Sequence, residues 1–240
     1  MAASYCQSLA WLKIMLSQPQ PCHILLRNRC HYGFVMPDIL LRPMLSTQSS
    51  DRLVVRAYRD EDAEPVFTAI AESAEHLAPW VPWYNTHRTV DDVLVYIRRT
   101  QAEATLREAF QMGMFLQSGR YLGGCALHVQ TWDLPVFSVG YWIRQSETGH
   151  GYVTEAVRLL VHAAFHELGA ERLSLKCEAD NHRSTAVAKR AGFILEGRSQ
   201  HSRRAANGTI ADGLHYGLVR EDYEGQHSVD GTSVPAPQSI

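Results

Sequence analysis

Residues 139–193 constrain the fold more than any other stretch of the chain. They read in order as a β-type run, a turn with two glycines, a long amphipathic helix, a second β-type run and a shorter helix. In the long helix Val153, Ala156, Val157, Leu160, Val161, Ala164, Phe165 and Leu168 recur at spacings of three and four and share one apolar face. Glu155, Arg158, His162 and Glu167 lie off that face, and Gly169 follows as a C-cap. Residues 172–177 alternate instead, with Leu173, Leu175 and Cys177 on one side and Ser174 and Lys176 on the other, which is the period of a strand. Thr148-Gly149-His150-Gly151 stands between the first β-type run and the helix. A helix start presents unpaired N–H groups and the positive end of the dipole, so this turn can hold a phosphate; its glycines let the backbone approach an anion. On the residues alone an ordinary strand-to-helix connection is the simpler reading. Around Asp180-Asn181-His182-Arg183 lies a second turn, with Asn181 or Ser184 able to cap a helix that ends at Gly192.

The ordered set Gly140-Tyr141-Trp142-Ile143, Gly149-His150-Gly151-Tyr152, Thr154-Glu155-Ala156, Asn181-His182-Arg183-Ser184 and Ala191-Gly192-Phe193 resembles the Gcn5-related N-acetyltransferases. Within them it resembles the RimJ/RimL-like branch, which acetylates ribosomal-protein N-termini. Upstream, the run from His76 through Trp80 to Trp83, followed by residues 89–98, also looks like this branch, so the resemblance covers about residues 53–223.

The rest of the chain fits one such domain. Residues 53–58 read as a first strand, and Arg59-Asp60-Glu61-Asp62 opens a helix through Glu72. Residues 78–84 form a proline-broken aromatic loop, either a lid packing Trp80 and Trp83 on the core or a wall of an acceptor site. Thr89-Val90-Asp91-Asp92 is a capping box with Asp in place of Glu, opening a helix to about Glu108. Residues 110–116, 121–131 and 136–144 read as a meander, with Gly123 and Gly124 marking a bulge or a close approach. Residues 194–201 and 210–219 flank an Asn207-Gly208 turn. The order gives an α/β (α+β) fold: helices flanking a mixed, largely antiparallel twisted sheet with one parallel crossover. Residues 1–50 are expected to be a poorly ordered extension, with a transit peptide or an upstream start as the other readings, and residues 224–240 a disordered tail. The resemblance implies that residues 51–223 form an acetyltransferase domain.

Composition limits function. A net charge of −2 gives no broad basic field for nucleic acid, and no apolar run reaches the roughly 20 residues of a membrane span. The five cysteines are odd in number and lack metal-ligand spacing, so no metal site is expected and a reducing, cytoplasmic setting fits. Oligomeric state stays open between monomer and homodimer.

In the fold that the resemblance implies, acetyl-CoA lies where two central strands splay apart. The backbone of Thr148, Gly149, His150, Gly151 and Tyr152 is then the candidate for its pyrophosphate. Backbone N–H groups at Trp142 or Ile143 would polarise the thioester carbonyl. Asn181 would brace the cofactor arm, and Ser184 would protonate the leaving thiolate unless it is simply a helix cap. Trp80 and Trp83 would line the acceptor site. Three positions depart from family patterns, the first being Ser146, which stands where the broader family often has Gln or Arg, though the RimL-like branch tolerates this. Ala188 replaces the tyrosine that other branches use as acid, and Arg203 falls near the carboxylate that some RimL-like members use as base. Glu196, Glu178 and Asp133 remain as bases acting through water. The acceptor is a primary amine, a protein N-terminus or a small molecule such as a polyamine or aminoglycoside. The alternative is a non-catalytic acyl-CoA-binding regulatory module.

Overall fold

The computed structural model describes residues 39–229 apart from 82, 84, 85 and 205–208. Eight strands form one sheet: β1 (Gln48–Ser49), β2 (Leu53–Ala57), β3 (Ala109–Leu116), β4 (Tyr121–Thr131), β5 (Val136–Ile143), β6 (Arg172–Glu178), β7 (Ile194–Arg204) and β8 (Ile210–Val219). Their order is β1-β2-β3-β4-β5-β6-β8-β7, and every adjacent pair is antiparallel except β5 and β6. The helices are α1 (Ala63–Glu72), α2 (Ala74–Leu77), α3 (Val90–Thr105), α4 (Tyr152–His166), α5 (His182–Arg190) and α6 (Arg220–Val229). This is the mixed, largely antiparallel sheet flanked by helices that the sequence predicts.

Helices cover both faces of the sheet. The apolar stripe of α4 (Ala156, Val157, Leu160, Ala164) packs with Leu53, Leu122, Leu127, Phe137 and Leu173 in one buried cluster. On the other face Val66 and Ile70 of α1 and Val93 and Ile97 of α3 enclose Tyr58, Phe115 and Tyr121. Burying each such aliphatic side chain contributes roughly 1.5–3 kcal/mol, so the two clusters hold the strands between them in place. The capping box of α3 is reciprocal: Asp92 N–H donates to Thr89 Oγ1 at 3.1 Å and Thr89 N–H to Asp92 Oδ2 at 3.0 Å.

Both expectations for Gly123 and Gly124 hold. The β3–β4 register slips between Met114 and Phe115, opposite Gly123, so a bulge sits there. At Gly124 a Cβ would come within 2.7 Å of both the Trp142 indole nitrogen and the Tyr58 hydroxyl, so only glycine lets these rings close over the strand.

The domain extends further than expected at both ends. Leu45 is buried, and Ser46 Oγ and Gln48 Nε2 donate to Glu167 Oε1 at 2.8 and 2.6 Å, which attaches this segment to the end of α4 before β1 pairs with β2. Residues 39–50 are therefore not part of a poorly ordered extension. At the other end the chain from Glu224 continues α6 rather than starting a tail. That helix is held by Tyr223 stacked on Phe165 at 4.6 Å and by Arg220, which donates to the Ala170 carbonyl at 2.6 Å. The sequence signal missed α6 because its Gly- and Ser-containing composition is that of a linker; tertiary contacts hold it. Residues 1–38 and 230–240, the Asn207-Gly208 turn and three of the five cysteines lie outside the described residues. No helix among the described residues is long and apolar enough to cross a membrane.

Candidate active site

The parallel pair at the centre of the sheet comes apart. β5 and β6 are in register from Val136/Arg172 to Val139/Leu175 and no further. Beyond that point β5 stays on β4 up to Ile143, and β6 stays on β8 up to Glu178. The strands therefore diverge from Gly140 onward, and a cavity of about 680 Å³ opens between them, closed at its ends by the 149–151 turn and the start of α5. A volume of this size takes a cofactor-sized ligand.

Backbone donors in the gap follow from strand alternation. Arg144 N–H donates to the Leu122 carbonyl of β4 at 2.9 Å. In an antiparallel ladder successive residues point their N–H groups to opposite sides, so Trp142 also donates toward β4, while Tyr141 and Ile143 point theirs into the gap. This corrects the expectation for Trp142: its N–H is committed to the sheet, and Ile143, with Tyr141, supplies the free donor. Trp142 still lines the cavity, through its indole.

At the glycine turn Gly149 and Gly151 have φ of +86° and +81°, a left-handed conformation that costs side-chain-bearing residues free energy. Gly151 is the N-cap of α4 and no side chain caps it, so the first-turn N–H groups remain available to a ligand. Gly149, Gly151 and Tyr152 line the cavity. Two expected members differ. Thr148 lines the cavity too, but its N–H is already bonded to the Gln145 carbonyl, and His150 lies outside the cavity wall, its ring stacked on Tyr152 at 5.4 Å. Arg52, which sequence reasoning missed, donates to the His150 carbonyl at 3.3 Å and pairs with Glu155 beside the turn. Lys176, Arg183 and Arg190 also line the cavity. Two left-handed glycines, an uncapped helix start and these cations fit a polyphosphate.

An ion pair braces this end. Arg144 grips Glu72 at the end of α1, its Nη1 donates to the Tyr121 carbonyl at 3.1 Å, and Ser146 Oγ donates to Glu72 at 2.8 Å. The Arg144 hydrogen bonds, helped by Ser146, hold the Glu72 carboxyl at about 2, below its ordinary value of 4.5. A depressed carboxyl stabilises the fold above its unfolded value and loses that contribution as pH falls through the folded one. The thermal stability of wild type should therefore fall as pH drops from about 4.5 to about 2. Glu72→Gln should reduce that slope, with an effect of about 1 kcal/mol for a partly screened pair.

At the other end Asn181, not Ser184, caps α5: its Oδ1 accepts the Ser184 N–H at 3.0 Å. The Ser184 hydroxyl is thereby free of capping. It lies 2.7 Å from the Tyr141 hydroxyl, whose titration burial raises well above the ordinary range, so the phenol is protonated at neutral pH. Ala188 lies buried in the core, and Tyr141 brings a phenol to the same cavity from β5 instead. The half-buried free thiol of Cys177 lines the wall nearby.

Trp80 lines this cavity, but Trp83 does not. Trp83 packs edge-on to Trp142 at 5.7 Å and lines a second cavity of about 490 Å³ under α3. Arg203 pairs with Glu178 and donates to the Trp80 and Pro79 carbonyls at 3.4 and 3.2 Å, so it ties the aromatic loop to the end of β6. Of the three carboxylates considered as bases, Glu178 lines the cavity but is held by Arg203. Glu196 pairs with Arg172, and neither it nor Asp133 lines either cavity.

An uncapped helix start at one end of a splayed strand pair, with two hydrogen-bonded hydroxyls at the other, makes a site that fits a phosphorylated ligand beside a pair of proton donors. A model of the acetyltransferase (GNAT) domain matches residues 52–194, and the chain belongs to that family. It is an N-acetyltransferase with acetyl-CoA as co-substrate. Among curated relatives, YdaF of Bacillus subtilis, whose name assigns it provisionally to ribosomal N-acetylation, is 28% identical over 187 residues, 76% of this chain and 100% of the relative. The ribosomal-protein-serine acetyltransferase of Escherichia coli is 26% identical over 151 residues, 62% of this chain and 82% of its own. The structure of RimL, a ribosomal L7/L12 alpha-N-protein acetyltransferase in complex with coenzyme A, superposes with a TM-score of 0.68. At 20% identity, with 72% of this chain and 97% of that one covered, it shows a shared fold.

Proposed function

We propose that this enzyme acetylates the N-terminal α-amine of a protein by direct attack on acetyl-CoA within a ternary complex. The observation that carries the reading is the open gap between β5 and β6, with the glycine turn at one end and the Ser184–Tyr141 pair at the other. In this reading the N–H groups of Gly149, Gly151 and Tyr152 hold the pyrophosphate, helped by the positive end of α4. Ile143 N–H supports the developing oxyanion, and Ser184 donates a proton to the departing sulfur and recovers one from solvent through the Tyr141 hydroxyl. Asn181 sets the geometry of Ser184 by fixing the first turn of α5. Trp80 belongs to the acceptor side of the cavity.

The curated relatives named for ribosomal-protein acetylation favour a protein acceptor over a polyamine or aminoglycoside. So does chemistry: an α-amine has an unperturbed pKa of about 7.7–8.0 and is partly neutral at physiological pH, whereas a lysine amine at about 10.4 needs a stronger base. A cytoplasmic setting and independence from nucleic acid complete the proposal. The test is mass spectrometry of peptides with a free N-terminus, the same peptides blocked at the N-terminus but bearing lysine, and a panel of polyamines. Acetylation of the free-N-terminus peptides alone supports the proposal, and preference for polyamines or lysine rejects it.

A further inference from the structure

The cavity beneath α3 lacks the glycine turn and the start of α5, yet it meets the first cavity at Gly140. Val81, Gly140, Tyr141 and Trp142 line both. Gly140 is also the residue at which β5 leaves β6. The two cavities thus adjoin at the start of the gap. A donor and an acceptor that react directly need this arrangement, because the amine must reach the carbonyl from a side the donor does not fill.

The second cavity has a shape and chemistry of its own. Its floor is formed by Gly124, Ala126 and Gly140, which share one face of β4 and β5 and leave room above the strands. Trp83, Trp142 and Tyr96 give aromatic walls. Polar groups converge opposite them: Glu103 of α3 accepts from Gln111 Nε2 at 2.7 Å and from Arg99 at 3.0 Å, and Tyr96 donates to Gln111 at 2.8 Å. At the mouth His128 extends from β4 across Gly140, its Nε2 3.6 Å from the point a Gly140 Cβ would occupy. None of the three carboxylates considered as bases lines this cavity, whereas His128 borders the shared residues.

We infer that this cavity admits the acceptor's amino terminus and that His128 is the group that takes its proton. The inference rests on the proposed amine acetylation and adds the route and the base. In the step, the amine nitrogen bonds to the acetyl carbon and the carbon–sulfur bond breaks. His128 accepts the proton that nitrogen sheds, and Ser184 gives one to sulfur, so the products are an amide and free coenzyme A. Desolvation lowers the His128 pKa, and the charge of Glu103 opposes that shift, so the imidazole is neutral at physiological pH. The charged or titratable side chains sharing the cavity are Glu103, Arg99 and Tyr96 of α3, His87 of the preceding loop, Tyr58 beside β2, Cys125 of β4 and Tyr141 of β5.

The test is the pH dependence of kcat/KM, together with acceptor KM and acetyl-CoA affinity, for the full chain and four variants. It is run on whichever primary amine is turned over, and every variant is checked by thermal unfolding. His128→Gln should lower kcat about 100-fold at pH 7 and remove the acid limb of the profile, with acetyl-CoA affinity unchanged. Glu103→Gln should move that limb to lower pH, because His128 loses the charge that favours its protonated form. Ala126→Leu, which fills the floor away from the acetyl-CoA cavity, should raise acceptor KM at least tenfold. His76→Gln, at the wall of the first cavity, should leave the limb in place. A limb that persists in His128→Gln, or disappears in His76→Gln, overturns the assignment of the base. An unchanged acceptor KM in Ala126→Leu overturns the route. If peptide N-termini are inactive but another amine reacts, the proposed acceptor is wrong, and the same variants still decide the cavity.

Discussion

Gly151→Glu should weaken acetyl-CoA binding by about 100-fold or more in calorimetric titration, while the protein still unfolds cooperatively. Two effects add. A carboxylate at the start of α4 repels the pyrophosphate where the helix dipole would otherwise attract it. A side chain at φ of +81° also strains the turn by roughly 1–2 kcal/mol. Gly151→Ala separates them. A Cβ at this position meets only the Arg52 guanidinium, at 3.9 Å, so alanine brings the strain without the charge. Alanine should cost stability but leave most of the affinity. The same pair of substitutions at Gly149, where φ is +86° and a Cβ meets nothing within 4 Å, should behave alike. If glutamate at either position binds acetyl-CoA at wild-type affinity, the turn does not hold the phosphates.

Ser184→Ala should lower kcat by about 100-fold, the lower range for loss of a proton donor, with acetyl-CoA affinity nearly unchanged. Because Asn181 is the cap of α5, removing the Ser184 hydroxyl should cost little stability. Asn181→Ala should show the converse, about 1 kcal/mol of lost stability. Tyr141→Phe distinguishes a relay from simple packing: it deletes the hydroxyl 2.7 Å from Ser184 and keeps the ring. A relay predicts reduced kcat with thiol release slowed in single turnover. A Ser184→Ala variant that is fully active, or one that loses stability and activity in parallel, contradicts the role of the serine.

The sequence carried the fold where periodicity is strong. The stripe on α4, the alternation in β6 and the Thr89–Asp92 box each specify a local structure that the packing then keeps. It was weak where tertiary contacts decide. β1 is two residues long and is attached through Glu167, and α6 is held by Phe165 and Ala170. The site was legible as motif but not as geometry. Nothing local in Trp142-Ile143 reveals which N–H faces the gap; that depends on register with β4. Whether Asn181 or Ser184 caps α5 is likewise undecided by residue type, since both are good caps. Arg52 reaches the glycine turn, and His128 the second cavity, across long sequence separations that no spacing rule reveals.

The central claim is that the gap between β5 and β6 holds acetyl-CoA for direct transfer to an amine. Its most direct measurement is calorimetric titration of the protein with acetyl-CoA, combined with release of free thiol in the presence and absence of an N-terminal peptide. The account predicts one binding site per chain and thiol release that requires the amine. Failure to bind acetyl-CoA, or thiol release at the same rate without any amine, would contradict it.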